Sequence, residues 1–180
     1  TIRYLRPSQI LRRLIFSFIK PKADNSPAPR LREKNEAWII SRHHNPSLIR
    51  PCEFQFLNQK GILDEIGWRG PERNSLWRYN QHYFNDLNAI DSQLRKSWHS
   101  KILYDWLEKN PPGVGMAWDP YPTSLRLVNC VKWVLSGNKL SPEYLDSLAT
   151  QTRWLSRRLE THILGNHLFT NAKALIFMGL

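Results

Sequence analysis

The chain has 180 residues, 41% of them hydrophobic and 12% aromatic, which is enough for one domain with a core and excludes an intrinsically disordered segment. The formal net charge is +11, but residues 1–50 carry eleven Lys/Arg against three Asp/Glu, so most of the excess lies in an N-terminal arm. Such an arm suits nucleic acid, lipid headgroups or an acidic polysaccharide, and a solvated basic segment that packs elsewhere in the protein is the alternative. No run reaches the ~18 apolar residues of a membrane helix.

The two ends of the sequence predict a piece of a longer protein. The chain begins with Thr1 instead of Met and stops at Leu180 inside an apolar pattern. The stretch ILRRLIFSFIK is short, interrupted by two arginines and not followed by a cleavage site, so it reads as an amphipathic helix and not as a signal peptide.

The first fifty residues are predicted to form a basic helix and a linker that precede the main domain at 51–180. Apolar and polar residues alternate with helical spacing over residues 8–20, and Pro21 ends this helix. The prolines and small polar residues of KADNSPAPR (22–30) indicate the linker. The stretch CEFQFLN (52–58) places Cys52, Phe54 and Phe56 on one side and predicts a short strand. The glycines that follow, at positions 61, 67 and 70, predict an irregular segment.

Helical patterns dominate from Ser75 to the end of the chain. Each predicted helix has one stripe of mainly apolar residues at helical spacing. The first stripe is Tyr83, Leu87, Ile90 and Leu94, continued after a break by Trp98, Ile102 and Trp106. The later stripes are Leu125, Val128, Val131 and Leu135; Leu145, Leu148, Thr152, Leu155 and Leu159; and Leu168, Ala172 and Leu175.

Capping residues and loops predict where these helices begin and end. The stretch NPPGVGMAWDPYP (110–122) is a predicted loop, after which Thr123 or Ser124 caps a helix. A further helix opens at Ser141-Pro142-Glu143, and Gly165 ends it. The predicted fold is therefore all-α, an incomplete toroid or solenoid of helix pairs with a short β element near residues 52–58.

Three motifs combine aromatic residues with Arg, Asn and His: LWRYNQHYF (76–84), AWDPYPTSLRLVN (117–129) and GNH (165–167). Aromatic rings stack on the C–H faces of sugars, amides bind hydroxyls, and cations bind carboxylate or sulfate groups. The same aromatics can equally belong to a packed core with their polar tips satisfied, and nucleobases could use the same residue types.

Asn166 and His167 directly follow the predicted helix break. There the amide of Asn166 can donate two N–H groups into a cavity, and His167 can act as donor, base or ligand. A helix cap and a satisfied histidine remain the alternatives. No acid or cysteine completes a metal-ligand set with His162 and His167, and no glycine loop cradles a phosphate, so the sequence predicts no metal and no cofactor.

The two cysteines of the chain are isolated from each other. Cys52 and Cys130 form no metal-type pair and are predicted to be buried thiols rather than a disulfide.

Taken together, LWRYNQHYF, WDPYPTSLRLVNCVKW and LETHILGNHLFTNAKALIFMGL closely resemble the N-terminal toroid domain of the heparinase II/III-like family, with order and approximate spacing intact from about Phe54 to Leu180. This resemblance implies a polysaccharide lyase that cleaves uronic-acid-containing chains by β-elimination, and a periplasmic location. It also implies that further toroid helices and a β-sandwich domain follow in the longer protein, together with a catalytic tyrosine and a second histidine.

By resemblance, Asn166 and His167 match the Asn-His pair of the family's substrate cleft. Asn166 would neutralise the uronate carboxylate, and His167 would assist by a hydrogen bond or as a base. The residues that the resemblance implies for lining the cleft or binding sugar are Tyr79, Asn80, His82, Trp118, Tyr121 and Arg126. Arg126 could instead lie on a helix surface.

Two other functions remain open at this point. One is a non-catalytic toroid that binds an acidic glycan or acts as a scaffold in a surface-polysaccharide pathway. The other is nucleic-acid binding through the basic arm, which is not expected because most of the charge lies away from the aromatic motifs. The chain alone, without the implied downstream residues, is predicted to have little or no lyase activity.

Overall fold

The computed structural model of the protein describes residues 6–32, 38, 44–70, 72–163 and 165–179, which are mostly helical with one small sheet. The α-helices are α1 (Pro7–Phe18), α2 (Leu63–Ile66), α3 (Ser75–Tyr83), α4 (Lys96–Lys109), α5 (Pro120–Leu135), α6 (Pro142–Ser156) and α7 (Gly165–Gly179). The strands are β1 (Leu48–Arg50), β2 (Glu53–Phe56) and β3 (Gln59–Ile62). Short 3₁₀ helices span Asn85–Asn88, Ser92–Arg95 and Met116–Trp118.

The predicted β element is confirmed as the central strand of a three-stranded antiparallel sheet in the order β1-β2-β3. Phe54 and Phe56 of β2 point into the core, as their alternation predicts. Strand β3 contains Gly61, which the sequence assigned to an irregular segment. A Cβ atom at this position would lie 2.9 Å from the ring of Trp77, so the glycine lets the sheet pack closely on α3.

Helix α5 is the centre of the helical part and packs against α3, α6 and α7. The prediction that Thr123 or Ser124 caps this helix is wrong: it begins at Pro120, after the extended residue Asp119, and both hydroxyl residues are buried within it. Proline is tolerated in a first helical turn, because its missing N–H has no intrahelical acceptor there. The helix therefore starts within the segment that its prolines and glycines identified as a loop.

The predicted continuous stripe from Tyr83 to Leu94 is also wrong. The chain leaves α3 at Phe84, which has a left-handed backbone, and Ile90 and Leu94 are exposed. Buried Asp86 explains the departure, since one of its carboxylate oxygens accepts hydrogen bonds from the backbone N–H groups of Ser47 and Leu48. A contact across 39 residues of chain overrides the local helical spacing.

The same carboxylate also contacts two basic side chains from the following segment. Arg95 Nε donates to it at 2.9 Å and His99 Nε2 lies at 2.8 Å, and both side chains are buried. Burial raises the pKa of Asp86, but the hydrogen bonds from His99, Arg95 and the two backbone N–H groups outweigh burial and lower the pKa to about 2.

We expect Asp86 to make the protein sensitive to acid. Its carboxyl has a lower pKa in the folded state than the ordinary value of 3.8, so its contribution is complete above about pH 4 and is lost as the pH falls towards 2. At 1.36 kcal/mol per pKa unit this contribution is about 2 kcal/mol. Urea unfolding at neutral pH and between pH 4 and 2 would measure it.

Two asparagine variants separate Asp86 from the other acids. Asp86→Asn should lower the free energy of unfolding at neutral pH and flatten its pH dependence in this window. Asp91→Asn makes the same change at an exposed position and should leave both unchanged. An acid transition that is equally steep in the Asp86→Asn variant would contradict the assignment.

The predicted N-terminal helix is confirmed as α1, and the segment after it lies against α6. Arg158 donates to the backbone carbonyls of Phe16 and Ile19 at 3.1 and 2.8 Å. Arg153 donates to the carbonyl of Asp24, and the backbone N–H of Ala28 donates to Asp146 Oδ1. The described part of the basic arm is therefore attached to the helical body by specific hydrogen bonds.

The predicted start of α6 is confirmed in detail, but its predicted end is not. Ser141 accepts a hydrogen bond from the backbone N–H of Tyr144, and Pro142 occupies the first turn. The helix ends at Ser156, and Gly165 begins α7 instead of ending α6. The interruption is thus a segment of eight residues, 157–164, of which all but residue 164 are described.

The predicted state of the cysteines is confirmed, since Cys52 and Cys130 are both free and buried. In the part of the chain that the structure describes, no helix combines the length and the apolar character needed to cross a membrane.

Candidate functional site

One residue from each of the three aromatic motifs belongs to a group of rings near the beginning of α5 and α7, in which Tyr121 contacts both Tyr83 and His167. The ring of Tyr121, in the first turn of α5, lies 4.5 Å from the ring of His167, in the first turn of α7, at an angle of 38°. The ring of Tyr83, at the end of α3, lies 6.0 Å from Tyr121 in an edge-to-face arrangement. We call Tyr79, Tyr83, Asp119, Tyr121, Glu160, Asn166 and His167 the candidate site.

Glu160 holds the imidazole of His167. Its Oε1 lies 3.0 Å from Nδ1 of His167, and the His167 side chain is 36% exposed while that of Glu160 is buried. An ionised carboxylate only accepts hydrogen bonds, so the pair places a proton on Nδ1. The Nε2 atom of neutral His167 is then the unprotonated nitrogen of the ring.

Asn171 fixes Glu160 in turn. The backbone N–H of Glu160 donates to Asn171 Oδ1 at 2.9 Å, and Asn171 Nδ2 donates to Glu160 Oε2 at 3.2 Å and to Ser124 Oγ at 3.0 Å. Asn171 is fully buried and lies four residues after His167 on α7. Helices α5 and α7 and the interruption before α7 therefore share one hydrogen-bond network.

A second carboxylate lies on the opposite side, against α3. Tyr79 donates its hydroxyl to Asp119 Oδ2 at 2.9 Å. Burial raises the pKa of Asp119, the hydrogen bond from Tyr79 opposes this, and the charge of Glu160 raises it further. The candidate site thus contains two acids that interact with each other.

The tyrosines of α3 are poor bases in this environment. Burial and the neighbouring Asp119 raise the pKa of Tyr79 above its ordinary value of 10, and burial raises the pKa of Tyr83 in the same direction. A tyrosine that removes a proton near neutral pH needs the opposite shift. Neither residue is therefore suited to be the catalytic tyrosine.

Asn166 is the exposed polar residue of the site. It lies in the first turn of α7, and among the described residues no side chain forms a hydrogen bond with its amide. The first N–H groups of a helix lack intrahelical acceptors and carry a partial positive charge. Both features leave donors available to an anionic ligand at this position.

Three of the predicted sugar-binding residues are instead buried in the core. His82 accepts a hydrogen bond from Trp106 Nε1 at 3.1 Å, and burial lowers its pKa to about 3. Trp118 donates to the carbonyl of Asn110 and stacks on Trp106. These two side chains and Arg126 have their polar atoms engaged internally, and we leave them out of the candidate site.

Arg126 is completely buried, so it is neither a cleft residue nor the surface residue that the sequence left open. Its guanidinium donates to Gln151 Oε1 at 2.8 Å and to the carbonyls of His82 and Ala117 at 3.1 and 2.8 Å. Its Cζ atom lies 4.1 Å from the ring centroid of Trp106. These contacts join α3, α5, α6 and the 3₁₀ turn before α5.

Asn80 is half-buried on α3, and its amide donates to the carbonyl of Leu76 one turn earlier at 2.8 Å. This bond leaves its Oδ1 atom as the group that could meet a ligand. We keep Asn80 outside the candidate site, because its amide hydrogen bond lies within α3 and does not connect it to Tyr121 or His167.

Sequence reasoning missed Glu160, Asn171 and Arg158. The four-residue spacing of His167 and Asn171 on one helix is a signal that pointed to a shared face. Glu160 lies seven residues before His167 across the interruption, so helical spacing does not predict their contact. Burial lowers the pKa of Arg158, and the charges of Asp119 and Glu160 oppose this shift.

The described residues contain no cluster of three His, Cys, Asp or Glu side chains with the geometry to hold a metal ion. A pocket of about 330 Å³ between α5 and the 3₁₀ segments is lined by none of the candidate site residues.

Comparison of the chain with protein-family models, with curated proteins and with solved structures finds no match. The functional assignment therefore depends on the residues and on their geometry.

Proposed function

We propose that this chain is the first part of a polysaccharide lyase toroid that resembles the heparinase II/III-like family and cleaves an acidic, uronate-containing polysaccharide by β-elimination. The observation that supports this proposal best is the exposed Asn166 beside a His167 ring that Glu160 orients and Tyr121 contacts. A donor, an oriented imidazole and an aromatic face are the groups that such a reaction and its substrate need.

The chemistry assigns a role to Asn166. The proton on C5 of a uronate is weakly acidic, because the adjacent carboxylate already carries negative charge. As this proton leaves, charge builds up on the carboxylate oxygens, and N–H donors directed at these oxygens stabilise the enolate-like transition state. The neutral amide of Asn166 donates without adding a charge to the two acids already present.

His167 would assist through its Nε2 atom. Because Glu160 holds the proton on Nδ1, Nε2 can accept a hydrogen bond or a proton from the substrate, and a conformationally fixed imidazole does so with little reorganisation. Tyr121, against whose ring His167 lies, would offer its remaining ring surface to a sugar. The tyrosine that removes the C5 proton or protonates the leaving oxygen would come from the part of the protein after Leu180.

The helices fit this proposal as the N-terminal portion of an (α/α) toroid. Helix α5 packs against both α6 and α7, and α6 packs against α7, as the proposal expects of consecutive toroid helices. In the proposed full-length protein, further toroid helices and a β-sandwich domain complete the cleft, and the location is periplasmic.

The full-length protein should convert uronate-containing polysaccharides into products with a C4–C5 double bond, while the 180-residue chain alone should not. The increase in ultraviolet absorbance of the unsaturated uronate measures this product directly. A set of substrates that differ in uronate and sulfation would identify the preferred one. Hydrolysis without an unsaturated product, or no reaction with any uronate polymer, would contradict the proposed reaction.

One alternative is a toroid that binds an acidic glycan or serves as a scaffold without cleaving it, because the exposed amide of Asn166 could bind a carboxylate in the absence of any catalytic base. Such a protein would bind uronate polymers in a titration and give no absorbance change at full length. The two functions therefore differ in product formation and agree in binding.

A further inference from the structure

Helix α1 presents a row of large apolar side chains to solvent. Ile10, Leu14 and Phe18 follow each other at four-residue spacing, and Leu11 lies beside them on the same face. The exposed fractions of these side chains are 37% for Ile10, 60% for Leu11, 52% for Leu14 and 82% for Phe18. This helix is described over its whole length, and none of its residues is buried.

The opposite face of α1 attaches it to the body of the protein. The ring of Phe16 lies 4.3 Å from the ring of His162 and 4.0 Å from Cζ of Arg158. Two residues of helix rotate the chain by about 200°, so Leu14 and Phe18 point away from the side on which Phe16 is held. The apolar face is thus directed outward by the contacts that fix the helix.

The surroundings of this face are strongly basic. Residues 1–23 contain six Lys/Arg and no Asp or Glu. Five of these cations lie in the described part of the segment, and all five are exposed: Arg6, Arg12, Arg13, Lys20 and Lys22.

We propose that α1 lies in the surface of an anionic lipid bilayer, with Ile10, Leu11, Leu14 and Phe18 inserted and the basic residues on the headgroups. An amphipathic helix with a cationic polar face binds such a surface through both sets of residues. A nucleic acid or an acidic polysaccharide would use the cations and leave the apolar row exposed. A second copy of the helix would cover the apolar row but bring two cationic segments together.

Two double variants of identical composition test the apolar row. L14D/F18D changes the proposed inserted face, and L94D/F169D changes the same residue types at exposed positions outside α1, where the exposed fractions are 82% and 71%. The unchanged protein and L94D/F169D should both cosediment with vesicles of phosphatidylcholine and phosphatidylglycerol. Binding of L14D/F18D should fall by a factor of about 10² or more. All of the altered side chains are exposed, so the Tm of each variant should match that of the unchanged protein.

A third variant tests the charge. R12Q/R13Q should weaken binding to the same vesicles about fivefold for each cation removed, and binding to pure phosphatidylcholine should be weak for every form. Equal sedimentation of L14D/F18D and L94D/F169D would overturn the proposal. Binding that depends on Arg12 and Arg13 but not on Leu14 and Phe18 would also overturn it, as would a dimer in solution that L14D/F18D dissociates. Activity on a polysaccharide enters none of these measurements, so this proposal and the proposed function fail independently.

Discussion

Replacing Asn166 by alanine should lower the lyase rate of the full-length protein by a factor of about 10²–10³. This is the typical cost of removing one donor that stabilises charge in a transition state. If the amide acts mainly on the developing enolate, kcat and kcat/KM should fall by similar factors. Initial rates from the absorbance of the unsaturated product, over a range of substrate concentrations, give both values.

Asn166→Asp sharpens the comparison, because it keeps the size of the side chain and replaces the donors by a negative charge. This charge would oppose the uronate carboxylate and add to the acids Asp119 and Glu160, so the loss should be at least as large as for alanine. Asn166 is exposed, and neither variant should change the Tm by more than a few degrees. Undiminished activity of the Asn166→Ala protein would contradict the role assigned to the amide.

Patterns of neighbouring residues correctly predicted the helix start and the strand that are determined by nearby residues. The serine cap and the proline of α6 act within one turn of the helix, and the structure has them as predicted. The alternation of β2 likewise placed Phe54 and Phe56 in the core. In these cases the physical cause lies within a few residues, so a single sequence contains it.

Elements fixed by distant contacts could not be predicted in this way. Asp86 ties the segment after α3 to the backbone of Ser47 and Leu48, and nothing near Asp86 in the sequence indicates these partners. Strand β1 depends on pairing with β2. It has only three residues, which is too short for an alternating pattern to be recognised in the sequence. Tertiary contacts decide the structure in both places.

The candidate site also has features that nearby residues predict and features that only distant contacts decide. The motifs contained Tyr121 and His167, which meet in the structure, but composition alone did not separate them from Arg126 and Trp118, which belong to the core. Tyr121 and Arg126 are five residues apart, about 140° around α5, so one can face the site while the other points inward. Choosing between them required knowing which face of α5 is covered.

Replacing Arg126 by methionine should destabilise the protein by roughly 3–5 kcal/mol. Methionine fills much of the same volume, but it removes the donor to the carbonyl of His82 and to the amide oxygen of Gln151, and it leaves the carbonyl of Ala117 only the long hydrogen bond from Thr123 Oγ1 at 3.4 Å. The loss of the guanidinium over Trp106 adds to this cost. Arg126→Lys keeps the charge and should still be destabilising, because an ammonium cannot reproduce the planar fork of donors.

Urea unfolding of the 180-residue chain tests this role without any substrate, with Arg50→Met as the matched control. The Arg50 side chain is 79% exposed and lies 3.7 Å from Glu53, so the same substitution there should cost less than about 1 kcal/mol. A domain of this size loses about 2–4 °C of Tm per kcal/mol, which predicts a fall on the order of 10 °C for Arg126→Met. If Arg126 instead contacted sugar, its variant would unfold like the Arg50 control and lose only affinity for the polysaccharide. That result would return Arg126 to the cleft and contradict the structural role that its buried contacts imply.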